Sequence, residues 1–310
     1  MLDLFIQWNV SPEAFSLGDV ITVRWYGILY GCAFLFSSWA FKELVRSEMN
    51  ADTVNRLLIY MILGTVIGAR LGDCFFYHPL YYLQHPWEIV VIWHGGLSSH
   101  GGACGILVAL YLFSRKIQKP YIWVLDRVVI VIGVAGFFIR MGNLMNHEIY
   151  GHATTLPWGF CFIENISQWL RGAQPIHSAP SHPTQIYEAL YYAFTWLVLR
   201  GVYRLCGNRP KPFFMFGLFL IMVFVFRFCI EFIKNPQEAF EENMMFDMGQ
   251  WLSVPFILAG IVSLIISRRK PLPVEKPQPA TLKNVSAVQH NTPNTAPNSG
   301  IKPRKKKKRP

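Results

Sequence analysis

Two short stretches of this chain gather residue types that bind anions or move protons. The first is Arg140-Met141-Gly142-Asn143-Leu144-Met145-Asn146-His147-Glu148-Ile149-Tyr150-Gly151, where an arginine, two asparagines and a glutamate follow directly on an apolar run. A guanidinium can hold a phosphate through two parallel hydrogen bonds. The second is His94-Gly95-Gly96-Leu97-Ser98-Ser99-His100-Gly101-Gly102-Ala103-Cys104-Gly105, with five glycines in twelve residues. Each glycine weakens a helix by about 1 kcal/mol relative to alanine. Close helix packing accounts for the glycines alone. The two histidines and two serines beside them point instead to a broken helix whose backbone N–H groups face a polar cavity. A third run, Ser181-His182-Pro183-Thr184-Gln185-Ile186-Tyr187-Glu188, opens another apolar segment. Arg70 with Asp73 and Arg227 with Glu231 stand one helical turn apart, so each couple can pair on a helix face, whether for structure or for function. The six cysteines show no CxxC or metal-ligand spacing, and most lie inside apolar runs, so no metal or cofactor site is expected.

The elements that must position these residues are membrane helices. The chain is 52% hydrophobic and only 15% charged, against about a quarter charged in a soluble domain. Apolar runs at 54–77, 121–139, 213–233 and 251–266 approach or exceed the ~20 residues that cross ~30 Å of hydrocarbon. The reading is an all-α, polytopic integral membrane protein with about seven transmembrane helices, near 20–41, 54–77, 88–113, 120–139, 186–206, 212–233 and 249–267. Basic clusters close or follow the odd-numbered spans (Lys42, Arg46 and Arg56; Arg115, Lys116 and Lys119; Arg200, Arg204, Arg209 and Lys211; Arg268, Arg269 and Lys270), whereas 78–87 contains no Lys or Arg and 234–248 only Lys234 amid acids. The positive-inside rule then places the N-terminus outside and the C-terminus in the cytoplasm. The N-terminus lacks the basic region of a cleaved signal, so the first span stays in the mature protein. Residues 1–270 form the membrane-embedded catalytic domain, and 271–310 a disordered basic cytoplasmic tail. Much of the net charge of +11 sits in that tail without interleaved aromatic residues, which argues against nucleic-acid binding.

With this orientation, Tyr26, Arg70, Asp73, Arg140, His182, Gln185, Tyr187, Glu188, Arg227, Glu231 and Gln250 collect in the outer half. His100, a dozen residues past Glu88, falls ~18 Å deep near the midplane if the helix is unbroken. Only Asp126 and Arg127 belong clearly to the inner half. Ionisable groups in a bilayer cost several kcal/mol unless paired or hydrated, so this concentration marks a polar chamber open to the outer side. Arg24 and Arg127 read as structural. A transporter would need polar residues along its whole path, and a scaffold would not need them at all.

In order along residues 20 to 265, Arg24-Trp25-Tyr26-Gly27, Gly68-Ala69-Arg70-Leu71-Gly72, the paired His-Gly-Gly segment, Arg140-x-Gly-Asn143-x-x-Asn146-x-Glu148-x-x-Gly151, His182-Pro-Thr-Gln-Ile-Tyr-Glu188, Arg227-Phe-x-x-Glu231-Phe and Met248-Gly-Gln250 resemble the prolipoprotein diacylglyceryl transferases of the bacterial inner membrane. The chain departs from the usual pattern at Ile139, Leu144, Ser99 and Val223, none of which removes a charged residue. The resemblance implies transfer of diacylglyceryl from phosphatidylglycerol to the lipobox cysteine of a prolipoprotein signal peptide, with a thioether formed and glycerol phosphate released. It also implies a multi-pass protein of the bacterial cytoplasmic (inner) membrane with its active site toward the outer side.

Such a reaction needs a base for a thiol of pKa ~8.5 and cations for the departing phosphate. His100 is the candidate base. Arg140 and Arg227 are the candidate phosphate-stabilising groups, with Asn143 and Asn146 as neutral donors. Glu148 and Glu231 would orient the arginines, and Tyr26 would meet the head group or the base. Arg70, Gly151, His182, Gln185 and Tyr187 complete the expected substrate-binding set.

Overall fold

The computed structural model describes residues 5–18, 21–91, 96–236 and 244–272. The chain divides into units Met1–Pro273 and Val274–Pro310. The expected basic tail, apart from Pro271 and Leu272, lies outside the described residues, as does His94. The longer unit is predominantly helical: α1 (Trp25–Leu44), α2 (Ala51–Gly72), α3 (Pro79–Gln84), α4 (Ser99–Lys116), α5 (Tyr121–Met145), α6 (Ile166–Trp169), α7 (Thr184–Leu205), α8 (Phe214–Ile230) and α9 (Met248–Arg269). Two small sheets join them. β1 (Ile6–Gln7) pairs in parallel with β4 (Phe160–Cys161), and β2 (Glu13–Leu17) pairs antiparallel with β3 (Ile21–Arg24).

Four segments are long and apolar enough to cross a membrane: Ala51–Tyr77, Tyr121–Met145, Phe214–Ile233 and Met248–Arg269. In α1, α4 and α7, tyrosine, tryptophan, serine, glycine and charged side chains dilute the apolar run. The outer surface is nonetheless oily. Leu35 and Trp39 on α1, Ile59, Leu63 and Ile67 on α2, Leu190 and Leu197 on α7, and Leu258 and Val262 on α9 are all exposed. Water tolerates no apolar surface of that extent, whereas lipid does. With four helices of spanning length, this surface makes the chain a multi-pass membrane protein.

The first helix starts at Trp25 rather than near residue 20, because 21–24 are drawn into the β2–β3 hairpin. The span expected from residue 88 differs more. Pro86–Val90 is a 3₁₀ turn, and α4 begins only at Ser99, whose predecessor Ser98 caps it by accepting a bond from the Gly101 amide. No unbroken helix runs from Glu88 to His100, so the depth calculated for His100 loses its premise. His100 sits in the first turn of α4.

The helices pair most extensively as α2 with α4, α1 with α5, α5 with α7 and α8 with α9. Between α2 and α4 the contact is backbone on backbone. A Cβ on Gly105 would strike the Gly64 carbonyl and lie 2.8 Å from the Gly68 Cα, and one on Gly101 would lie 2.7 Å from the Gly72 Cα. Gly101 and Gly105 therefore serve close packing, the simpler of the two accounts of this glycine run.

Polar pairs fix the opposite end. Glu48 receives Arg127 at both carboxylate oxygens, at 2.5 and 2.6 Å, and also the Tyr203 hydroxyl at 3.3 Å. The Arg127 guanidinium lies 3.7 Å from the centre of the Trp123 ring. Asp126 on α5 accepts the backbone N–H groups of Phe213 and Phe216 at 2.8 and 2.9 Å, capping α8 from another helix. That arrangement suits a helix whose own N-cap residue, Phe213, has a left-handed φ of 71° and no capping side chain.

Candidate active site

Arg140 lies in the last turns of α5 and Glu188 in the first turns of α7, helices that pack closely along their length. The Arg140 Nε is 3.1 Å from the Glu188 carboxylate. The other Glu188 oxygen faces the Lys234 ammonium at 3.7 Å, and Lys234 also contacts Glu231 at 3.2 Å. Glu231 in turn meets Arg227 at 3.7 Å. A chain of alternating charge, Arg140–Glu188–Lys234–Glu231–Arg227, thus crosses one end of the bundle. Its middle is dry, since the Lys234 side chain is 2% exposed and that of Glu188 4%. Its two guanidinium ends are more open, Arg140 at 13% and Arg227 at 35%.

A second network braces Arg140. Its Nη1 donates to Asn143 Oδ1 at 3.3 Å, and Asn143 Nδ2 donates to Glu148 at 2.8 Å. Asn146 Nδ2 donates to the same Glu148 oxygen at 3.2 Å. The two amides spare Glu148 a cationic partner, while Glu188 rather than Glu148 takes the Arg140 charge. Tyr26, at the start of α1, packs its ring against Gly142, where an added Cβ would come within 2.9 Å of it.

Three segments distant in sequence are stitched together behind these side chains. The Gly151 N–H donates to the His182 carbonyl at 2.9 Å, the Asn235 amide donates to the Gly151 carbonyl at 3.0 Å, and the His152 N–H donates to the Ile233 carbonyl at 2.9 Å. A side chain at Gly151 would press into the Ile233 carbonyl and come within 2.9 Å of His182 and Thr184. Only glycine permits that approach. Gln185 is fully buried and donates to the Glu148 carbonyl at 2.7 Å, so it shapes the loop that carries Glu148. Tyr187 accepts from Trp158 Nε1 at 2.9 Å and meets His182 Nδ1 at 3.3 Å. Beyond them, Asp247 caps α9 by accepting the Gln250 N–H, the Gln250 side chain accepts the Asp247 N–H in return and donates to the Phe228 carbonyl, and Gly249 lies against the Glu231 carboxylate.

Two expected site residues stand apart from this cluster. Arg70 donates to the carbonyls of Glu88, Ile89 and Gly96 and lies over the Tyr82 ring, tying these residues to the end of α2. His100 is exposed, and among the described residues no hydrogen bond or ion pair ties it to Arg140, Arg227 or Glu148. Lys234 is not among the residues that the sequence marks for the site. The available signal was periodicity: Arg227, Glu231 and Lys234 fall at i, i+4 and i+7 on one helical face.

The family described as prolipoprotein diacylglyceryl transferase matches residues 12–266. The chain is 41% identical over 265 residues to a phosphatidylglycerol–prolipoprotein diacylglyceryl transferase of Tolumonas auensis, covering 85% of this chain and 98% of that protein. It is 40% identical over 274 residues to the protein of the same name from Chloroherpeton thalassium, covering 88% and 97%. With that of Porphyromonas gingivalis it shares 41% over 280 residues, covering 87% and 98%. Matched over most of its length by both the family and these relatives, the chain belongs to the prolipoprotein diacylglyceryl transferase family.

Proposed function

We propose that this chain transfers the diacylglyceryl group of phosphatidylglycerol to the lipobox cysteine of prolipoproteins, the first step of bacterial lipoprotein maturation. The cysteine sulfur attacks the glycerol carbon of the lipid, a C–S bond forms, and the C–O bond to phosphate breaks. The thiol proton goes to a base, and glycerol phosphate leaves with the electron pair. The observation that carries this reading is the charge chain at one end of the helix bundle. Its buried carboxylates hold Arg140 and Arg227 with their guanidinium groups partly open, which suits the charge that builds on a departing phosphate. Asn143, Asn146 and Glu148 brace Arg140, Tyr26 borders it, and His100 serves as base for the incoming thiol. Gly151, His182, Gln185 and Tyr187 shape the walls, and Arg70, apart from them, anchors Gly96 just ahead of the helix that carries His100.

In this reading, seven helices cross the inner membrane with the N-terminus outside, and the charge chain opens toward the outer leaflet. The support is the distribution of cations. Lys42, Arg115, Lys116, Arg204, Arg268 and Arg269 close α1, α4, α7 and α9 at the end opposite Arg140. Incubating the purified protein with phosphatidylglycerol and a lipobox peptide tests the reaction. Mass spectrometry should find the peptide heavier by one diacylglyceryl group on sulfur. An unmodified peptide, with an active relative as control, would refute the assignment.

A further inference from the structure

At the other end of the bundle lies a cavity of about 400 Å³, set between the α1–α2 and α4–α5 connections. α5 begins two residues after Lys119 on its wall and carries Arg140 about 30 Å further along, at 1.5 Å per residue, so this is not the site described above. Arg56, Lys116 and Lys119 contribute its cations, and Tyr60, Phe113 and Ile117 its apolar floor. The acid on its wall, Glu48, already has both oxygens occupied by Arg127. Its charge is compensated within the fold and does not neutralise the other three. Among the described residues, none of those three cations has a carboxylate partner; Lys119 rests over the Trp123 ring at 5.2 Å.

Three uncompensated cations above an apolar floor match one ligand chemistry: a phosphate, anionic overall, with an apolar extension. We propose that this cavity binds the phosphate of an anionic phospholipid head group from the leaflet at the Lys116 end, and that occupancy clamps the α1–α2 connection to the α4–α5 connection. Basic pockets between membrane helices are suited to such head groups, since each nearby cation adds to the attraction. The site is independent of the transferase reading, because none of its residues touches the Arg140 cluster.

The test uses the full chain in neutral detergent micelles, with thermal unfolding as readout. Phosphatidylserine, phosphatidylcholine or inorganic phosphate is titrated in at constant ionic strength. Three proteins are compared: the wild type, Arg56→Gln/Lys116→Gln/Lys119→Gln, and a control of equal charge loss, Arg200→Gln/Arg268→Gln/Arg269→Gln. All six substituted positions except Arg200 are exposed, so folding should survive in both variants. A ligand that binds the folded state raises the unfolding midpoint as its concentration exceeds its Kd. Phosphatidylserine should raise the midpoint of the wild type and control beyond any effect of phosphatidylcholine. In the cavity variant the concentration for half-maximal shift should rise about tenfold or more. A shift reproduced by inorganic phosphate alone assigns the cavity to free phosphate; one that requires the lipid assigns it to the head group. Equal responses in the wild type and cavity variant, or an equal loss in the control, would overturn the proposal.

Discussion

Arg140 is held at two points, by Glu188 and by Asn143, in a fixed orientation that a flexible ammonium cannot copy. Arg140→Lys should therefore fold normally yet lose about 10²–10³-fold in kcat, the scale of removing a donor aimed at developing charge. Steady-state kinetics beside an unfolding curve would show this; near-wild-type turnover would make Arg140 a structural residue. His100→Gln should lose about 10²-fold or more if imidazole takes the thiol proton. Retained rate would leave catalysis to the arginines alone. Lys234 offers a sharper case, because it sits between two buried carboxylates. Lys234→Met removes the cation between Glu188 and Glu231 and leaves each with a single arginine, and the loss should reach about 3–5 kcal/mol, the scale of breaking a buried pair. Adding Glu188→Gln should restore part of that stability but no activity, since Arg140 then loses its partner. Recovery of both would show that the charge chain has no part in the reaction.

At the scale of elements, helices are positioned by polar contacts between segments that packing alone would leave free to slide. Asp126→Ala removes the cap that α5 supplies to α8 and leaves two amides unpaired in an apolar setting. Thermal unfolding should report a loss of about 1–2 kcal/mol, with Asp126→Asn retaining part of it. The loop after α5 is held by His147, whose Nδ1 accepts the Ile163 N–H at 3.0 Å while Nε2 donates to the Val10 carbonyl at 2.9 Å. This geometry requires a neutral ring, and burial lowers its pKa below the ordinary 6.5. The unfolded chain consequently binds a proton that the folded chain refuses. The stability His147 contributes is full above about pH 6.5 and declines as pH falls below it. The midpoint of the wild type should drop more steeply on acidification than that of His147→Gln, and parallel profiles would rule this out. Gly151 belongs to the same scale: it joins the His147 loop to residues 182 and 233–235 by backbone contact, so its value lies in the side chain it lacks.

Over the whole molecule, charge is divided between two ends, with paired acids and bases at one and mostly basic helix termini at the other. A reporter domain fused after Pro310 should be active in the cytoplasm and silent outside it; the reverse would invert the proposed orientation. Much of this was written in the linear chain. Apolar runs of membrane length and ionisable residues beside them are conspicuous because hydrocarbon tolerates few charges, and so Arg140, Asn143, Glu148, Arg227 and Glu231 stand out from sequence alone. Their helical setting could be read for the same reason. What the tertiary structure decided was pairing. Glu188 rather than Glu148 neutralises Arg140, Lys234 bridges two acids, Gly101 and Gly105 seat α4 on α2, and His100 opens a helix instead of lying in the middle of one. Each depends on which backbones approach within a few ångströms, a distance set by interhelical packing and by the break before Ser99, neither of which residue spacing along one helix can encode.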